Sequence, residues 1–94
     1  EEIEIAWKSR WQPLIARFRP ELVIFSAGFD AHRNDPLGGL ALETADYHWL
    51  TRTLLESARG SGARGVVSVL EGGYDLDATA AAACAHVAAL LESP

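Results

Sequence analysis

"LVIFSAGFDAHRNDPLGG", residues 22–39, decides how the rest of the chain is read. Leu22 to Phe25 form a continuous apolar run rich in β-branched side chains, the pattern of a strand buried on both faces of a parallel sheet. The run breaks at Ser26-Ala27-Gly28 into a long loop containing Asp30, His32, Asp35-Pro36 and Gly38-Gly39. A second run, Val66 to Leu70 in "GVVSVLEGGYDL", repeats the arrangement, a buried strand followed by a glycine turn. Between them Thr44 is expected to cap a helix whose apolar face is Tyr47, Leu50, Leu54, Leu55 and Ala58, ending at the glycine-rich "RGSGARG".

Strand, helix, strand implies a parallel crossover. Ahead of it, Ile3, Trp7, Trp11, Leu14, Ile15 and Phe18 follow a helical face. Pro13 should kink that helix or mark a new start near Gln12, with Arg17 and Arg19 suiting its end and Pro20 stopping it. After the second strand, Asp75 or Asp77 caps a last helix from about Ala78 to Leu91, apolar nearly all round and so expected to be covered on more than one side. The order is helix-strand-helix-strand-helix, an α/β arrangement. Two strands cannot cover three helices and satisfy both sheet edges. The 94 residues are therefore expected to be a piece of a larger doubly wound sheet, unstable or self-associating in isolation.

Composition sets the outer bounds. Apolar residues make up 49% and charged residues 22%, ordinary values for a globular domain. A net charge of −5 argues against nucleic-acid binding and is compatible with a cationic substrate. No apolar stretch approaches the roughly 18 residues needed to span a membrane. The start, "EEIEIAWKSR", has no signal-peptide character. A single cysteine, Cys84, excludes an intrachain disulfide and a cysteine-rich zinc site, fits a reducing cytoplasmic setting, and reads as a small core residue.

Ligands of open parallel sheets bind beyond the carboxyl ends of the strands. Both unusual loops lie there, so Asp30 and Tyr74 are expected to face one pocket. Gly72-Gly73 allows a sharp turn and a close approach, and the phenol of Tyr74 either donates a hydrogen bond to a developing oxyanion or packs on the last helix. Three roles are open to Asp30 from spacing alone: metal ligand, general base, or turn residue. His32 stands two residues on, at metal-ligand spacing, but a lone loop histidine is more often a hydrogen-bonding residue; Asp35-Pro36 reads as a turn, and His48 and His86 as structural. "EGGYDL" does not match the dinucleotide fingerprint.

"RPELVIFSAGFDAHRNDPLGGLALETADYHWLT" and "GVVSVLEGGYDL", in this order and separation, resemble the histone deacetylase family, which includes acetylpolyamine amidohydrolases and shares the arginase-like, three-layer αβα fold. The resemblance covers essentially the whole chain, aligned with the C-terminal part of the deacetylase domain, and "LEGGY" looks like the class II and bacterial branch. It implies that Asp30 is a zinc ligand, that Tyr74 is the catalytic tyrosine polarising the acyl carbonyl, and that Gly72 and Gly73 belong to the substrate-facing loop. The family's remaining ligands, a D-x-H pair, and its paired histidines belong to earlier segments; no stretch here matches them, and His32 inherits no ligand role. The implied reaction is zinc-dependent hydrolysis of an acetyl amide on lysine or a polyamine-type amine, completed by the N-terminal part of the domain. The chain alone is expected neither to hold zinc tightly nor to turn over substrate. The alternative is a non-catalytic α/β piece used only for association.

Overall fold

The computed structural model describes residues 2–92. The N-terminal helix runs in three parts: α1 (Glu2–Ala6), one π-helical turn (Trp7–Trp11) and α2 (Gln12–Phe18). The widened turn sits immediately ahead of Pro13, which has no N–H to give the preceding turn. Gln12 donates instead to the carbonyl of Trp7, and a new α-helical stretch starts at Gln12 as the sequence predicts. α2 ends where Arg19 takes a left-handed conformation (φ 56°) and its N–H donates to Ile15 O at 2.9 Å.

β1 (Leu22–Ala27) and β2 (Gly65–Leu70) pair in parallel, in register from Leu22 opposite Gly65 to Ala27 opposite Leu70. α3 (Thr44–Gly60) is the crossover and α4 (Leu76–Glu92) packs against it. The observed order is the one the sequence predicts, with β1 running two residues past Phe25.

Burial differs from the expectation of strands covered on both faces. Val23, Phe25 and Ala27 turn toward the helices and are half-buried, whereas Leu22, Ile24, Val67 and Val69 are about half exposed or more. Successive strand residues point to opposite faces, and among the described residues the helices cover only one of them. The sheet and one helical layer of the three-layer class are thus present, with a bare apolar face opposite.

Three local expectations need correction. Glu43, not Thr44, is the N-cap of α3: its backbone is extended, and Asp46 reaches back to accept its N–H at 2.7 Å. Cys84 is exposed rather than in the core. α4 is covered along one stripe only, Ala78, Ala82, His86 and Ala89, while Val87 and Leu91 stay exposed. At about 100° per residue, position 84 lies opposite that stripe. The cap of α4 is Asp75, whose carboxylate accepts the N–H of Ala78 at 2.8 Å.

The core beneath the strand ends joins Phe29, Tyr47 and Ala82. Alanines on α4 let it lie close to α3, and a polar chain crosses the contact. Thr51 donates its hydroxyl to Tyr47 O (2.7 Å), so it must accept from Nδ1–H of His86 (2.7 Å). That leaves Nε2 to accept from the Ser68 hydroxyl on β2 (2.7 Å). His86 is thereby held neutral, edge-on to Phe25, and burial pushes its pKa below the ordinary value. At the N-terminal helix only Trp7 is buried; Trp11, Leu14 and Phe18 of the predicted apolar face are exposed.

Candidate active-site loops

The parallel pairing does not stop at the strand ends. Glu71 N–H donates to Ala27 O at 3.0 Å and Phe29 N–H to Gly72 O at 2.7 Å, drawing the two loops together. Phe29 is buried in the core and anchors the first loop, so Asp30, the next residue, is presented at the seam between the loops.

Gly72 shows how tight that seam is. A Cβ on Gly72 would stand 2.8 Å from Oδ2 of Asp30 and 3.3 Å from the hydroxyl of Tyr74. Both oxygens therefore converge on the same small space, and only a residue without a side chain can occupy it. The other carboxylate oxygen of Asp30 lies 3.3 Å from where a Cβ of Gly28 would be. Gly73, at φ 144°, turns the chain above Thr79 of α4, whose hydroxyl would lie 2.5 Å from an added Cβ. The phenol of Tyr74 does not settle into the helix contact but remains 56% exposed. Asp30, Tyr74, Gly72 and Gly73 are thus brought together as the sequence reading expects.

His32 is not. Its ring is buried and turned toward the start of α3, where Nε2 meets the Thr44 hydroxyl at 3.0 Å. Nδ1 accepts the N–H of Asn34 at 3.1 Å, so in the neutral ring Nε2 carries the proton and donates to Thr44. Both nitrogens are occupied in holding the loop, and the D-x-H spacing does not make a metal pair. Thr44, freed from capping, is half of this anchor. Two backbone bonds between residues 31–33 and Leu42, and an exposed Arg33–Glu43 ion pair, complete it.

Asp35 does more than its reading as an Asp-Pro turn foresees. Oδ1 accepts from Leu37 (2.8 Å) and Gly38 (2.9 Å), the expected turn, but Oδ2 accepts the backbone N–H of Tyr74 at 2.8 Å, from 39 residues away. Desolvation opposes the charge on this carboxyl, yet the three N–H donors, from Tyr74, Leu37 and Gly38, outweigh it and hold its pKa below the ordinary value. No local signal distinguishes this aspartate from any other turn residue.

An apolar cavity of about 360 Å³ lies behind the site, between the N-terminal helix, β1 and α3, with Trp7, Phe25, Phe29, Tyr47, Leu54 and His86 in its wall. Asp30 and Tyr74 are not part of it. Among the described residues no three His, Cys, Asp or Glu side chains gather closely enough to hold a metal ion between them, so Asp30 stands as a single candidate ligand. No described helix is long and apolar enough to cross a membrane.

Comparison with known proteins agrees with the fold. The family model for the histone deacetylase domain matches residues 1–90. The chain is 41% identical over 87 residues to Histone deacetylase 5 of Arabidopsis thaliana, covering 93% of this chain and 13% of that protein. It is 41% identical over 88 residues to Histone deacetylase 4 of Caenorhabditis elegans, covering 92% of this chain and 10% of the relative. Among solved structures, the histone deacetylase Clr3 superposes with a TM-score of 0.81 at 38% identity, over 96% of this chain and 14% of its own. The HDA15 HD domain does so with a TM-score of 0.78 at 39% identity, over 95% and 24%. The chain therefore spans a quarter or less of each of these proteins and, by sequence and by fold, belongs to the histone deacetylase domain family.

Proposed function

We propose that this chain contributes one zinc ligand, Asp30, and the catalytic tyrosine, Tyr74, to a deacetylase site that hydrolyses an acylated lysine or polyamine-type amine. The observation that carries the reading is the convergence of the Asp30 carboxylate and the Tyr74 hydroxyl over Gly72. The family membership supports it, because the relatives are deacetylases.

The residues suit a zinc ion in kind. Asp30 offers an anionic oxygen donor in a space kept free of side chains by Gly28 and Gly72. A catalytic zinc usually has three protein ligands, so the others must come from the rest of the domain. Bound there, the ion would supply Lewis acidity and an activated water. Tyr74 then acts as a hydrogen-bond donor: its O–H is directed to the acyl oxygen, and the bond strengthens as that oxygen gains negative charge. Gly72 and Gly73 let the acyl group approach the loop backbone, and the acidic chain suits a cationic leaving amine.

The test is an assay of the full-length protein, loaded with zinc, on N-acetyl-lysine peptides and acetylated polyamines. Tyr74→Phe should lower kcat by about 10²–10³-fold, the cost of one oxyanion donor, without loss of stability. Asp30→Asn should lower zinc content. Near-full activity in the first variant or unchanged metal content in the second would remove that residue from the mechanism.

One observation favours a second reading, a piece used for association only: the bare face of Leu22, Ile24, Val67 and Val69 is the kind of apolar surface another polypeptide covers. Full activity in a protein lacking both the Tyr74 hydroxyl and the Asp30 carboxylate would support it over catalysis.

A further inference from the structure

Asp35 has no part in the chemistry above, yet it touches both halves of the site. Its Oδ1 folds the turn by accepting from Leu37 and Gly38. That turn presses Gly38 onto the backbone of Asp30 so closely that an added Cβ would fall 1.6 Å from the Asp30 carbonyl oxygen. Its Oδ2 accepts the N–H of Tyr74. One carboxylate is therefore tied through a four-residue turn to the backbone of the candidate ligand, and directly to the backbone of the candidate catalytic tyrosine.

Tyr74 needs such a tie. Two glycines precede it, and among the described residues no hydrogen bond holds its hydroxyl. The phenol has no polar anchor of its own, and the bond from its N–H to Asp35 comes directly after the most freely rotating pair in the loop. A bond to an ionised acceptor is also stronger than one to a neutral amide.

We infer that Asp35 is a positioning residue that sets the Tyr74 phenol in register with the Asp30 carboxylate. The inference rests on the roles proposed for those two residues. An asparagine at position 35 keeps the shape but offers one acceptor oxygen, which the two local turn donors retain, so Tyr74 loses its partner. Misplacing a reacting group by about 1 Å can cost about a hundredfold in rate, and losing a residue that orients a metal-site group typically costs about 10–100-fold.

The experiment compares Asp35→Asn and Asp35→Ala in the full-length protein, alone and with Tyr74→Phe. It reads kcat and KM on an N-acetyl-lysine peptide, zinc content, and hydrogen exchange at the Tyr74 amide. In Asp35→Asn, kcat should fall about 10–100-fold with KM within about twofold and zinc retained. The Tyr74 amide should exchange at least about tenfold faster. In the Tyr74→Phe background, Asp35→Asn should cost less than about twofold more, since it acts through a hydroxyl already gone. Unchanged exchange at Tyr74, or a full multiplicative loss in the double variant, overturns the inference. If Asp35→Ala does not fold, Asp35→Asn decides. If Tyr74→Phe keeps full activity, the proposed function falls, and amide exchange alone decides whether Asp35 holds Tyr74.

Discussion

The two ends of the story told by this sheet could hardly differ more in how their polar and apolar groups are satisfied. Beyond the carboxyl ends of β1 and β2, the loops are joined by backbone bonds and by the carboxylate of Asp35, and the buried ring of His32 ties the first of them to the start of α3. On the sheet face away from the helices, Leu22, Ile24, Val67 and Val69 stay about half exposed or more, with no helix laid over them among the described residues. The chain orders its own loops where it presents Asp30 and Tyr74 and leaves aliphatic surface bare on the far face of the sheet. A fold can fix the local geometry of a site with short loops and a few charge-assisted bonds, while its stability depends on burial that many more residues must share.

That contrast can be broken at its tight end first. Gly38→Ala should have the largest effect, because the new methyl overlaps the backbone carbonyl of Asp30, which cannot swing aside as a flexible side chain would. We expect about 3 kcal/mol or more of destabilisation in the full-length protein, with loss of zinc, measured by denaturant unfolding and metal analysis. A stable, zinc-replete Gly38→Ala protein would show that the loop is far looser than described.

The bare end is tested with Ile24→Glu, whose side chain is 63% exposed here. In the full-length protein, where the face is expected to be covered, the change should cost about 1–3 kcal/mol or more by burying an unpaired charge. In the 94-residue chain it should instead reduce self-association seen by sedimentation. A monomeric, cooperatively melting wild-type chain would show that the face needs no cover.

The smallest effect concerns the polar chain between the two ends. Burial lowers the pKa of His86 in the folded protein below the ordinary histidine value. Above about pH 6.5 the ring is neutral in both folded and unfolded states and exacts no penalty. As pH falls below that, the unfolded chain takes up a proton that the folded chain resists, so stability declines on acidification. Melting temperatures between pH 7.5 and 5.5 should show this decline, and His86→Gln should flatten it. An equal decline in the variant would assign the acid sensitivity elsewhere.

Element order was legible because each element carries its own local signal. The β-branched runs of Leu22–Phe25 and Val66–Leu70 announce strands, and Pro13 announces the break that the π turn then absorbs. That Asp30 and Tyr74 would meet was legible because parallel strands must deliver their following loops to the same edge; the roles expected of them came only from the resemblance to the deacetylase family. Their burial partners were not. The stripe of α4 that meets α3 is one of several alanine-rich stripes of similar hydrophobicity, so Cys84 could be placed in the core as readily as Ala82. His32 at metal-ligand spacing and Thr44 at a capping position each looked available for a separate role, and only contact shows that they serve each other.

By itself the sequence determined the alternation of helices and strands, the two glycine-rich loops and the residue types that chemistry requires there, because these depend on steric and hydrophobic preferences over a few neighbouring residues. Tertiary structure alone decided that Asp35 reaches Tyr74, that Gly72 must be bare beneath two oxygens, and that one sheet face stays uncovered. Those outcomes depend on which residues meet across a crossover of dozens of positions, and hydrogen bonds and close contacts act only over a few ångströms of space, however far apart their partners stand along the chain.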